Sequence, residues 1–301
     1  MPASVLARYL DAATLGRLVQ TRLDPRSLVM GHLAGSHRSP VQGFAVEFAG
    51  YREYMPGDDL RHLDWRMVFN RGKYFIKQYE METNWTSHFV FDTSASMQYG
   101  EGWEQKAQVA LQMLTLLAYA VIRQADRASL TMAGARIDSY LPPSDSMAQL
   151  VRMLELLDSL SYSTATNLPA CLIEMASRWQ QRELVVILSD FFLEIKEIEA
   201  AIERLRYSRH EVVLVEVLHQ DERTFDFQGA VRFKGLEGLA AYRTVPTEIR
   251  DAYLDAMRAH QQALTEMCHR HQVEYLPLTT NQDLAGELIA YLNRRQRTRR
   301  R

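Results

Sequence analysis

From residue 87 onward, short apolar runs alternate with longer stretches whose hydrophobic residues recur every three or four positions. His88–Asp92, Arg127–Ala133, Arg136–Leu141, Leu184–Ser189, Val212–Leu218 and Val273–Leu278 have strand length and strand composition. A helix rich in Ala, Leu and Met is expected at about Glu104–Gln124, and another from near Ser144 with Leu150, Val151, Leu154 and Leu157 on one face. Leu168-Pro169 opens a third helix, because proline is well tolerated in a first turn. Ile195, Ile198, Ile202 and Leu205 mark a fourth, and Ile249, Tyr253, Met257 and Leu264 a long one after Pro246. Thr280-Asn281-Gln282-Asp283 reads as a capping box for the last helix. This alternation predicts an α/β fold, a doubly wound and mostly parallel sheet with helices on both faces.

The rhythm breaks twice. Between His219 and Val245, Phe225, Phe227, Val231 and Phe233 fall at alternate spacing among glycines, which suggests a β-rich insertion. Before residue 84, helical spacing at 9–34 gives way to strand signals at Phe44, Val46 and Phe48 and at Tyr74 and Ile76. The insertion is expected to pair with those strands in a small β-rich accessory subdomain. The organisation expected is therefore an N-terminal segment (1–84), an α/β domain (85–293) and a basic tail (294–301).

Chemistry concentrates where two strands end. Asp92-Thr93-Ser94-Ala95-Ser96 closes the first strand of the domain, with one carboxylate and two hydroxyls at alternate positions. Asp190 closes the Leu184–Ser189 strand, and Thr166 precedes a helix between them. Strand carboxyl ends line one crevice of an open parallel sheet, on what is expected to be an exposed rim. Carboxylate and hydroxyl oxygens suit a hard cation, Mg²⁺ or Mn²⁺. The plain alternative is a Ser/Thr-rich turn. The set resembles the metal-ion-dependent adhesion site of von Willebrand factor A domains: Asp-x-Ser-x-Ser, then a Thr, then a strand-terminal Asp. The resemblance implies that Ser94, Ser96 and Thr166 touch the ion, and that Asp92 and Asp190 bind it directly or through water.

Upstream, Tyr51-Arg52-Glu53-Tyr54-Met55-Pro56-Gly57-Asp58-Asp59-Leu60-Arg61-His62-Leu63-Asp64-Trp65 is similar to the signature of the bacterial DUF58 family. The likeness continues through Phe75–Glu82 and returns at Leu276–Thr280. It implies a von Willebrand-type domain after the signature and an association with MoxR-type AAA+ ATPases.

Composition narrows the alternatives. The chain has 301 residues, 47% hydrophobic, and a net charge of −2. Arg294, Arg295, Arg297, Arg299, Arg300 and Arg301 make the end basic and leave the body acidic. Two cysteines give no disulfide framework, and neither a signal peptide nor a spanning segment is evident, so a cytoplasmic location is expected. The function expected is non-enzymatic: a metal-bridged module that binds a client carboxylate and works with a MoxR-type ATPase. A metal-dependent hydrolase, using this ion or the Asp58, Asp59, His62 and Asp64 cluster, is the alternative. That cluster reads more simply as an ion-pair network. His88 lies at the wrong end of its strand to act as a base at the ion. Nucleic-acid binding through the Arg-rich tail is weaker still, because no aromatic follows Tyr291. Cys268-His269-Arg270-His271 has no matching ligand pair.

Overall fold

The computed structural model describes residues 46–56, 63–71, 73–81 and 85–299 except 165, 180 and 237–240, together with Tyr9, Gly16, Arg17 and Leu23. Two compact units result, one of residues 27–84 and one of residues 1–26 with 85–301.

In the smaller unit, strands β1 (Val46–Glu53) and β2 (Phe75–Met81) pair antiparallel, with an irregularity between Phe48 and Gly50. Helix α1 (Trp65–Arg71) lies between them in sequence. Asp64 caps it: its backbone carbonyl accepts from Met67 and Val68, and its carboxylate takes the Arg66 N–H at 2.9 Å and the Tyr51 hydroxyl at 3.0 Å. Of the cluster imagined as hydrolytic, Asp58, Asp59 and His62 lie outside the described residues.

The larger unit is built on β3 (Thr86–Asp92), β4 (Arg127–Ala133), β5 (Ile137–Ser144), β6 (Leu184–Ser189), β7 (Glu211–Leu218) and β10 (Glu274–Thr279). Their order across the sheet is β10-β7-β6-β3-β4-β5, parallel throughout except for β5. The chain starts at β3, builds outward to β5, then returns to lay β6 on the other side of β3. The order therefore reverses between β3 and β6, which is the crevice where open α/β sheets bind ligands.

One face packs α2 (Lys106–Arg123), α3 (Met147–Asp158) and α8 (Leu284–Arg299); the other packs α4 (Leu168–Arg178), α5 (Ile195–Tyr207) and α7 (Pro246–Arg270). With helices on both sides, β3, β6 and β7 are buried along their whole length, and β6 and most of β7 read as apolar runs rather than alternating ones.

Three expectations change. The insertion opens with a short helix, α6 (Gln220–Thr224), and its strands β8 (Val231–Phe233) and β9 (Tyr242–Thr244) pair with each other. Among the described residues this two-stranded sheet is separate from that of β1 and β2. Thr280 does not cap the last helix. Asp283 immediately precedes α8, its carboxyl is lowered mainly by the Gly286 backbone N–H, and its carbonyl accepts from Glu287. Finally, the basic tail is helix as far as Arg299, and Arg295 is buried because Leu284, Leu288, Tyr291 and Leu292 carry its face onto the core.

Candidate metal centre

Asp92 is the last residue of β3. It is 1% exposed, not on an exposed rim as its strand-end position suggests. Its Oδ1 accepts the Ser94 N–H at 2.9 Å, which turns the chain out of the strand, and its Oδ2 accepts the Ser189 hydroxyl from the end of β6 at 2.5 Å. The chain then tightens into a 3-10 turn, Ala95–Gln98, which brings Ser94 Oγ and Ser96 Oγ to 2.9 Å from each other. Burial, and after it the charge of Asp190, pushes the Asp92 carboxyl up to about 7, against the hydrogen bonds from Ser189 and Ser94. A carboxylate this poorly compensated favours a nearby cation.

Thr166 belongs to a loop stapled to the same rim. Ser163 bonds back to back with β3's extension, its N–H to Thr93 O and its carbonyl to Ala95 N, each at 2.8 Å. Asn167 N–H holds Gly134 O at 2.9 Å on the neighbouring strand end. Gly134 allows this approach: a Cβ there would stand 2.6 Å from Thr93 Oγ1 and 2.9 Å from Asp138 Oδ2. Thr166 Oγ1 is buried and has no hydrogen-bond partner among the described residues. Thr131 Oγ1 is orphaned too, but inside β4, so the orphan is informative only with its place on the rim. Beside this loop an open groove of about 490 Å³ is lined by Ala135, Arg136, Asp138, Ser161, Tyr162 and Ser163.

Asp190 follows β6 directly and sits close enough to raise Asp92, but its carboxylate is engaged elsewhere. Oδ2 accepts from Lys106 Nζ at 2.8 Å, and Oδ1 accepts the Phe192 N–H at 3.3 Å. The same ammonium donates to Glu222 Oε1 on α6 at 2.7 Å and lies 5.0 Å from the Phe192 ring centroid. Burial alone would lower the Lys106 pKa; Asp190 and Glu222 reverse that and leave it above the ordinary lysine value. Thus Asp92, Ser94 and Ser96 are joined by direct bonds, Asp190 adjoins them but is bound to Lys106, and Thr166 is tethered nearby with no bond to the other four.

Neither Lys106 nor Glu222 belongs to the site expected from the sequence. Lys106 had a signal: it lies on the stripe of Ala110, Met113, Leu114 and Leu117, where a charge is out of place. Glu222 had none, standing in a segment read as β. The donors assembled here, one buried carboxylate and three hydroxyls with a second carboxylate beside them, are all oxygen and fit a hard divalent ion. Lys106 and Glu222 offset each other, which leaves Asp92 and Asp190 as the acidic donors of the set.

In the Cys268–His271 stretch Cys268 is core, while His271 bonds Glu199 at 2.8 Å with Glu203 at 3.9 Å, three groups whose ligand atoms lie within 4.8 Å of one another; Arg270 sits on the same Glu199 carboxylate. Among the described residues no helix is long and apolar enough to cross a membrane.

The profile of a family described as "Protein of unknown function DUF58" matches residues 50–263. "Uncharacterized protein Rv1480" of Mycobacterium tuberculosis is 23% identical, over 98% of this chain and 94% of its own length. Among solved structures, an aerotolerance-related membrane protein from Bacteroides fragilis aligns at a TM-score of 0.46 and 12% identity, covering 70% of this chain and 98% of that one. BatB from Bacteroides thetaiotaomicron gives 0.44 and 11%, covering 71% and 100%. The SpRpn10 VWA domain gives 0.40 and 10%, covering 68% and 94%.

Proposed function

The chain belongs to the DUF58 family, and we propose that it is a von Willebrand factor A-like, non-enzymatic protein-interaction module whose grip on a partner depends on a divalent ion. The residues that hold the ion are Asp92, Ser94, Ser96 and Thr166, with Asp190 beside them; Mg²⁺ or Mn²⁺ is the ion. When bound, the ion supplies a Lewis-acidic position that accepts a carboxylate from a client protein. The observation that carries this reading is the convergence, at the sheet's switch point, of the buried Asp92 carboxylate with the Ser94–Ser96 hydroxyl pair.

Each residue has a definable task. Ser189 and the Ser94 N–H fix the Asp92 carboxylate so that it need not reorganise. The 3-10 turn aligns two hydroxyls on one point. The bonds of Ser163 and Asn167 hold Thr166 at the rim. His88, the histidine nearest Asp92 in sequence, is bound at the far end of β3 by Ser129 and Glu183, which leaves it no part in base chemistry at the ion. The resemblance to DUF58 proteins supplies the co-worker, a MoxR-type AAA+ ATPase, for which this chain serves as an adaptor in protein remodelling or complex maturation.

The test is Asp92→Asn, chosen over alanine because an isosteric amide leaves no cavity and can still accept the Ser94 N–H. Mn²⁺ affinity, measured by calorimetry, should fall by about tenfold or more, with the circular dichroism unchanged. Co-purification with the MoxR-type ATPase or its client should be lost in EDTA and in the variant. Capture indifferent to both would rule the ion-bridge out.

A further inference from the structure

We propose that Lys106 is a resident cation of this rim that competes with the incoming ion for Asp190, and that Glu222 tunes the competition by keeping the ammonium paired when Asp190 turns to the ion. This rests on the ion site proposed above and assigns that site its regulation.

The placement of Lys106 is costly in two ways. It is fully buried, with no exposed surface at all. It is the first residue of α2, where the helix dipole disfavours a cation. A buried ammonium needs close acids to be tolerated. Lys106 has two such acids, from different elements: Asp190 after β6 and Glu222 on α6.

The two acids are not equivalent. Glu222 is fixed by its own helix: its Oε2 accepts the His219 N–H at 2.8 Å and closes the capping box of α6, leaving Oε1 to Lys106. Gly100 keeps this cap against the ion loop, since a Cβ at its φ of +97° would stand 2.9 Å from His219 Cδ2. Asp190 is held more loosely, by Lys106 and by one backbone N–H at 3.3 Å. If Asp190 Oδ2 moves from the ammonium to an ion, Lys106 stays bonded to Glu222 and to the face of Phe192. The transfer therefore leaves no orphaned charge. Before it, the rim already holds one cation, and an ion must displace part of that interaction to gain Asp190.

Calorimetric titration of Mn²⁺ and Mg²⁺ into the full chain tests this, because the two partners of the pair should act in opposite directions. Lys106→Met should tighten ion binding, and Glu222→Gln should weaken it, each by about five- to tenfold. In an Asp190→Asn background the Lys106→Met gain should shrink to roughly twofold or less, because the contested acid is gone. Thermal melts and circular dichroism accompany each titration. If Lys106→Met does not fold, Lys106→Gln keeps a donor between the acids, and Glu222→Gln carries its own sign. Shifts in the same direction for both variants overturn the competition, as does a Lys106→Met gain that persists undiminished without Asp190, which would be plain charge repulsion. Wild-type protein that binds neither ion overturns this inference and the ion site together.

Discussion

Both ends of the six-stranded sheet bury ionisable side chains, but they differ in what remains unanswered. At the amino ends of β7 and β10, Arg295 bonds Glu211 at 2.8 Å and also bonds Glu274, while Arg182 reaches Glu211 at 3.2 Å. At the amino end of β3, His88 lies between Ser129 and Glu183, each at 2.6 Å, and stacks on Trp179 with ring centroids 4.1 Å apart. At the carboxyl ends, Asp92 is raised to about 7, Thr166 Oγ1 has no partner among the described residues, and Asp190 shares its cation with Glu222. A polar cluster that pairs off internally is finished when the chain folds. One that keeps a poorly compensated carboxyl and an orphaned hydroxyl in a buried crevice holds polar groups that the described residues do not fully answer.

The sharpest way to break that contrast is to unpair the amino end. Arg295→Met should cost about 3–5 kcal/mol, because it takes from the buried Glu211 and Glu274 carboxylates the cation they share. Urea unfolding measures it, and Mn²⁺ binding by the folded variant should match wild type. Asp92→Asn, at the other end, should change stability far less, since it removes a charge that burial already penalises. Equal losses of stability from the two variants would erase the distinction.

What the sequence disclosed follows the range over which each feature is determined. Strands and helices are set by local periodicity, so β6 was bounded at Leu184–Ser189 from the pattern alone and is found there. Asp92, Ser94 and Ser96 lie within five residues of one another, and a strand end followed by a turn suffices to bring them together. Lys106 and Glu222 are 116 positions apart, and only the fold makes them partners. By composition Arg295 reads as one arginine of a basic tail, although the stripe of Leu288, Tyr291 and Leu292 leads directly to it. Composition outweighed periodicity there, and periodicity described the helix.

His210 is an exception at the amino end and gives the next largest effect. It is buried beside Trp179, with no hydrogen bond of normal geometry to either ring nitrogen, although the Glu183 backbone is close enough to oppose the shift. Burial pushes its pKa down from 6.5 to about 4, with Glu183 opposing and His88 reinforcing. The sign follows from proton uptake. Above pH 6.5 the ring is neutral folded or unfolded, and stability is full. As pH falls from about 6.5 toward 4, the unfolded chain gains a proton that the folded one refuses, and stability drops by up to about 3 kcal/mol. His210→Phe keeps the edge contact to Trp179 and should flatten the acid limb of a stability–pH curve between those values. An unchanged limb would assign the loss to other groups.

The smallest effect concerns Ser129, which by distance alone belongs to a Ser–His–Glu relay with His88 and Glu183. Such a relay catalyses acyl transfer only if the hydroxyl can reach a substrate carbonyl beside oxyanion donors. Ser129 is 0% exposed and His88 1%, and the two stand opposite each other on paired strands β3 and β4. Trp179 covers the ring. The relay is therefore a packing device that satisfies a buried imidazole. Ser129→Ala should cost about 1–2 kcal/mol by leaving one ring nitrogen unpaired, and ion and partner binding at the opposite end of β3 should not change. A fluorophosphonate probe should leave the native protein unlabelled. Labelling that disappears in Ser129→Ala would show that the amino end opens to solvent, and would reverse the assignment of the two ends.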